Sequence, residues 1–154
     1  MLKLRALTLI LCMNLSPGSI LSQTHEHEHE YEGAKQLGLA LDHGKKWQTD
    51  APLREAMASL RSLAQVAQKK NTSDANQTAA RLMNEEIQKI FKNCKLTPKA
   101  DAMLHLILTD LMTNIGKLKD PKANAAESYA NILKTLDSYG QYFDDQGRDT
   151  LKKP

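Results

Sequence analysis

Apolar residues from position 51 to 143 recur at steps of three and four, and this spacing limits the fold more than any other feature of the chain. Leu53, Met57, Leu60, Ala64 and Ala67 form one stripe, and Met83, Ile87, Ile90 and Cys94 a second. Leu104, Leu108, Leu111, Ile115 and Leu118 form a third, and Tyr129, Ile132, Leu136, Tyr139 and Phe143 a fourth. A period near 3.6 residues puts each set on one side of a helix. No strand-like alternation of Val, Ile and Thr competes with it, and Val66 is the one valine.

Local signals punctuate the stripes. Thr49-Asp50 offers a cap before Pro52, and Thr97-Pro98 repeats that logic. Lys69 and Lys70 suit a helix C-terminus. Asn71–Ser73 is a polar turn, and Asp120-Pro121 is a stop. The expected helices therefore run over 51–70, 74–95, 98–119 and 122–143. A shorter helix over 33–48 is expected before them, with Leu37, Leu41 and Trp47 near one side. Gly38 and Gly44 weaken it, and Gly44 falls on its inner face, where small size permits close approach.

Long helices with short connections make antiparallel neighbours. The expected fold is all-α: an up-and-down bundle over 33–143, a four-helix core plus the short N-terminal helix, followed by a polar tail over 144–154. A solenoid of helical hairpins is the alternative, although no internal repeat of fixed period is present. At 154 residues the chain suits one domain, and with aromatics at 5% its core must come mostly from Leu, Ala, Ile and Met.

The N-terminus reads as an address. Met1–Arg5 is short and basic, Ala6–Leu15 is apolar, and Ser16-Pro17-Gly18-Ser19 is a break. This is the layout of a secretory signal peptide, cut near Ser22/Gln23. The apolar run is too short to span a bilayer, so no membrane insertion is expected after its removal. Leu11 before Cys12 is not the small residue a lipoprotein signal needs. The expected compartment is the periplasm. Cleavage leaves Cys94 as the one cysteine, so no internal disulfide can form. The sequons at Asn71 and Asn76 matter only in a eukaryotic secretory route, and the overall character is bacterial. Losing Lys3 and Arg5 from the 21 basic residues leaves 19 against 18 acidic ones. A net charge near +1 gives no field for nucleic acid.

The sharpest chemical feature is the segment 23–32, Gln-Thr-His-Glu-His-Glu-His-Glu-Tyr-Glu. His25, His27 and His29 supply imidazoles suited to copper, nickel or zinc, and Glu26, Glu28, Glu30 and Glu32 add carboxylates. Extended, the segment puts all three imidazoles on one side; helical, only His25 and His29 share a face. It lacks an apolar anchor and is expected to be flexible before a metal arrives. Cleavage after Ser22 makes His25 the third residue. A terminal amine, two amide nitrogens and the imidazole then enclose a square-planar Cu(II) or Ni(II). The alternative is a solvated polar leader.

Cys94 and His105 flank the turn between two helices and form a second, weaker candidate for a metal. Both also fit structural roles, Cys94 by continuing an apolar stripe and His105 on the flank of its helix. His43 reads as a surface histidine. Met57, Met83, Met103 and Met112 could suggest soft ligands, yet core and flank packing explains them. There is no glycine-rich phosphate loop, Gly-x-Ser-x-Gly, His-Glu-x-x-His or Cys-x-x-Cys-His. Glu85-Glu86 and Asp144-Asp145 are adjacent pairs that point apart on a helix. The chain is therefore read as non-enzymatic.

Leu53-Arg54-Glu55-Ala56-Met57, the stretch Leu104-His105-Leu106-Ile107-Leu108 in a helix ending Ile115-Gly116-Lys117-Leu118-Lys119, and Leu133 to Tyr139 resemble the periplasmic cytochrome b562 family over residues 33–143. The resemblance implies a four-helix bundle in the periplasm. That family's usual members hold haem b through a Met on the first helix and a His on the last. Here the first helix has no Met, and the last, with Tyr139-Gly140-Gln141-Tyr142 at the expected place, has no His, so haem is not expected. Gly44-x-x-Trp47-x-Thr49-Asp50-x-x-Leu53-Arg54 is also similar to proteobacterial exported proteins with His-rich leaders. Three functions follow as expectations. The first is transition-metal binding for buffering, delivery or resistance, with the metal ion as partner. The second is a b562-like haem electron carrier, and the third a structural or adaptor module.

Overall fold

The computed structural model describes residues 37–145; residues 1–36, with the expected signal peptide and the His/Glu segment, and residues 146–154 lie outside them. Four helices follow one another: α1 (Ala51–Lys70), α2 (Ser73–Asn93), α3 (Pro98–Lys117) and α4 (Ala125–Tyr142). Each starts at a side-chain cap that satisfies an orphan N–H of the first turn. Asp50 accepts from the Leu53 N–H at 3.0 Å, Thr72 from Ala75 at 3.3 Å, Thr97 from Ala100 at 3.4 Å and Asn124 from Glu127 at 3.2 Å. Pro52 and Pro98 occupy first-turn positions, where a missing N–H costs nothing. α1 packs on α2 and α4, and α3 on α4 and, less closely, α2. With two- to seven-residue connections this is an all-α, up-and-down four-helix bundle.

Its core is the four stripes. Every member is buried except Cys94, which is half-buried at the α2 C-cap. Small residues bring α1 and α2 together: Ala64, Ala79 and Ala80 are buried there. Helix ends differ from expectation by at most three residues, and α1 matches at both ends. α3 stops at Lys117, where the Leu118 N–H turns to Ile115 in a tightened last turn. α4 starts at Ala125 because the Asp120 carboxylate accepts from the Lys122 N–H at 2.9 Å, closing a local turn before Asn124 caps. Among the described residues no helix is long and apolar enough to cross a membrane.

The expected short N-terminal helix is not found over residues 37–50, which form an irregular strap. Asp42 and Lys45 exchange both backbone hydrogen bonds, at 2.8 and 2.9 Å, around His43 and Gly44. Both central residues have positive φ, 51° and 81°, as a type I′ turn demands. Gly44 therefore serves a turn and not a helix contact, and Gly38, at φ 71°, breaks the chain again. Leu41 is exposed while Leu39 and Trp47 are buried, so the apparent helical spacing of Leu37, Leu41 and Trp47 is not the one used.

The strap is stitched to the far end of the chain. The Trp47 N–H donates to the Tyr142 carbonyl and the Asp144 N–H to the Trp47 carbonyl, both at 2.8 Å, in a single parallel bridge. Lys46 Nζ reaches the Gly140 carbonyl at 2.7 Å, and Thr49 Oγ1 donates to the Asp144 carbonyl at 2.6 Å. Asp50 completes the junction. One carboxylate oxygen caps α1, and the other accepts from the Lys95 N–H at 2.6 Å, tying the α2–α3 turn to the start of α1. Replacing Asp50 by Ala loses a cap and a charge-assisted bond and is expected to cost about 2 kcal/mol in urea unfolding. Asp50→Asn, which keeps the cap, should recover about half of that loss. Equal stability of all three proteins would contradict this role.

Candidate functional site

His25, Glu26, His27, Glu28 and His29 lie outside the described residues, so their geometry is not part of the structure. Cys94 and His105 are described. The Cys94 thiol is half-buried, and burial pushes its pKa up to about 12, helped by the charge of and a hydrogen bond with Asp50. It is a neutral thiol at physiological pH, whereas a metal binds the thiolate. His105 is exposed; its Nδ1–H donates to the Asp101 carbonyl at 2.9 Å, and its ring lies 6.2 Å from that of Phe91. Among the described residues no group of three or more His, Cys, Asp or Glu is placed to hold a metal. The structure thus does not join Cys94 and His105 into such a donor set.

The two described histidines, His43 and His105, both have exposed side chains. Met57 and Met83 are buried, and no histidine faces them across the interior among the described residues. Met112 is exposed and Met103 half-buried, each as packing or surface.

Two buried hydroxyls behave differently. Tyr129 lies inside the bundle with its hydroxyl donating to Asn76 Oδ1 at 2.9 Å. The Tyr139 hydroxyl is fully buried and has no hydrogen-bond partner among the described residues. Burial pushes the Tyr139 phenol up, and the Asp145 charge adds to that. A buried hydroxyl without a partner loses its water for nothing in return, so Tyr139→Phe should leave the fold as stable or raise stability by up to about 1 kcal/mol. Tyr129→Phe, which strands Asn76, should cost about 1–2 kcal/mol. A larger loss from Tyr139→Phe than from Tyr129→Phe in denaturant unfolding would refute the assignment.

A polar groove of about 300 Å³ between α3 and α4 escaped the sequence reading. Asn114, Thr135 and Ser138 are buried polar side chains along it. Thr135 Oγ1 donates to Asp110 Oδ2, and Asn114 Nδ2 reaches the Asp110 carbonyl at 3.0 Å and Oδ2 at 3.3 Å. Asn131 Nδ2 approaches Asn114 Oδ1 at 3.5 Å across the seam. The Ser138 hydroxyl donates to the Lys134 carbonyl at 3.2 Å, so its proton is committed locally. Lys117 and Lys134 stand exposed at the rim, and Leu37 of the strap closes one side. The signal was in the sequence: Asp110 and Asn114, and Asn131 and Thr135, are i,i+4 polar pairs beside the apolar stripes of consecutive helices. Chemically, the groove presents two ammonium groups above a hydrogen-bonded polar floor and suits anionic groups. Comparisons with protein-family models, curated proteins and solved structures find no match to this chain.

Proposed function

We propose that this chain is a non-enzymatic periplasmic helical-bundle protein that binds a transition metal (Cu, Ni or Zn) through its N-terminal His/Glu segment, for buffering, delivery or resistance. The observation that carries the reading is the run from His25 to Glu32, with three imidazoles and four carboxylates in eight residues. Imidazole nitrogens supply the borderline donors these ions prefer, and alternation with Glu adds charge and outer hydrogen bonds. Two features of the folded part support it. The four helices bury their stripes against one another, and the strap is anchored at Trp47 by backbone hydrogen bonds with Tyr142 and Asp144, so the chain that follows the segment is held to the bundle.

The test is titration of Cu(II), Ni(II) and Zn(II) into the mature protein and into a variant with His25, His27 and His29 replaced by Ala. At least one ion should bind the variant more than about tenfold more weakly, since losing even an outer-shell partner of a ligand costs about 10–100-fold. Because imidazoles and amides must lose protons, affinity should rise with pH. Equal, weak binding by both proteins would remove the proposal.

A further inference from the structure

The α3–α4 groove has a cationic rim whose two ammonium groups, those of Lys117 and Lys134, make no ion pair among the described residues. Lys117 Nζ only approaches Asn114 Oδ1 at 3.4 Å. The groove's own carboxylate, Asp110, accepts hydrogen bonds from Thr135 and Asn114 and offsets one of the two rim charges, leaving the groove net positive. Leu37, partly buried against the core, lines this groove and is the first described residue. The chain immediately before it holds Glu32, Glu30, Glu28 and Glu26.

Reach and charge agree. Glu32 precedes Leu37 by five residues, a span of up to about 18 Å when extended. The groove from Asp110 to Lys117 covers about 10 Å at the helical rise. A tether this short holds the carboxylates at an effective concentration far above that of any free anion. We infer that the α3–α4 groove is the docking site of the chain's own metal-free His/Glu segment, its glutamates pairing with Lys117 and Lys134, and that metal loading releases the segment.

The release half of this inference rests on the metal-binding reading; the docking half does not. A divalent ion bound by the segment cancels part of its negative charge and engages its carboxylates, which weakens the pairing. Linkage makes the effect reciprocal, so docking must lower metal affinity by the same factor.

The experiment is amide NMR of the full mature chain, metal-free and at low salt, beside the variant Glu26→Gln, Glu28→Gln, Glu30→Gln, Glu32→Gln. Amides of Asn114, Lys117, Asn131 and Lys134 should differ between the two proteins, while those of Leu60 and Met83 coincide. High salt, which shortens the Debye length to about 3 Å at 1 M, should erase the difference. So should Lys117→Glu with Lys134→Glu; the control pair Lys69→Glu with Lys70→Glu should not. One equivalent of Zn(II) should move the groove amides toward the glutamine variant, and the Lys117→Glu, Lys134→Glu protein should bind Zn(II) about fivefold more tightly than the control pair. Coincident groove amides in the metal-free proteins would overturn docking. A difference that grows with protein concentration would assign the contact to a second molecule and overturn the intramolecular form. Zn(II) binding that leaves the groove amides in place would overturn release. Absence of Zn(II) binding with the metal-free difference intact would defeat the metal reading and leave docking standing.

Discussion

Phe143→Ala is expected to destabilise the protein by about 3–5 kcal/mol, the range for removing a buried aromatic ring. Phe143 follows the last turn of α4 and is completely buried. Its ring stacks on Tyr139, with centroids 5.1 Å apart and planes 17° from parallel. Its backbone N–H still bonds to the Tyr139 carbonyl, so the ring is held by α4 while its neighbours hold the strap. Loss of the ring opens a cavity at the end of the bundle where the strap, α1 and α4 meet. The strap then loses the surface beneath the Tyr142–Trp47–Asp144 hydrogen bonds. Trp47 is the chain's one tryptophan, so its emission reports on this site directly. Urea unfolding should show the loss of stability, and native-state emission should shift to the red. A loss under about 1 kcal/mol with unchanged emission would place the ring outside the core, because a fully buried phenyl cannot be removed that cheaply.

Leu111→Ala is expected to cost about 2–5 kcal/mol. Leu111 sits about two-thirds of the way along α3 in the most regular stripe and is fully buried. Packed helices on both sides leave little room to collapse, which favours the upper part of the range. Leu111→Met, which conserves volume, should stay below about 1.5 kcal/mol. The neighbouring Met112 is more than a third exposed, so Met112→Ala should cost far less. Chemical denaturation of the three variants checks the register of α3. Equal losses at 111 and 112 would contradict it.

The four stripes were legible because a 3.6-residue period over about twenty residues has few competing explanations. Tyr129 to Phe143 and Leu104 to Leu118 are buried as that period requires. Asp50 and Thr97 were legible as caps for the same local reason, a short oxygen side chain followed by proline. The strap was not. Leu37, Leu41 and Trp47 mimic a helix face, and the positive-φ turn at His43-Gly44 outweighs them. The long-range backbone bonds of Trp47 to Tyr142 and Asp144 carry no signature in a single sequence. Cys94 continued a stripe by spacing, yet it sits at a C-cap beside Asp50 because α2 ends at Asn93.

The candidate chemistry divides in the same way. His25, His27 and His29 declare themselves by residue type alone. The α3–α4 groove needs two helices in register before Asp110, Asn114, Asn131 and Thr135 become one network. Polar side chains at i,i+4 also occur on ordinary solvated faces, so the pairs at 110/114 and 131/135 could not be told from surface until the helices were placed.

In the proposed function, metal chemistry belongs to the leading segment and the helices are its support. Amide NMR of the mature chain with one equivalent of paramagnetic Cu(II) tests this most directly. Signal loss centred on residues 25–29, with Met57, Leu60 and Met83 still sharp, is the predicted result. Broadening centred on the bundle interior, unchanged when the three leader histidines are replaced by alanine, would contradict it.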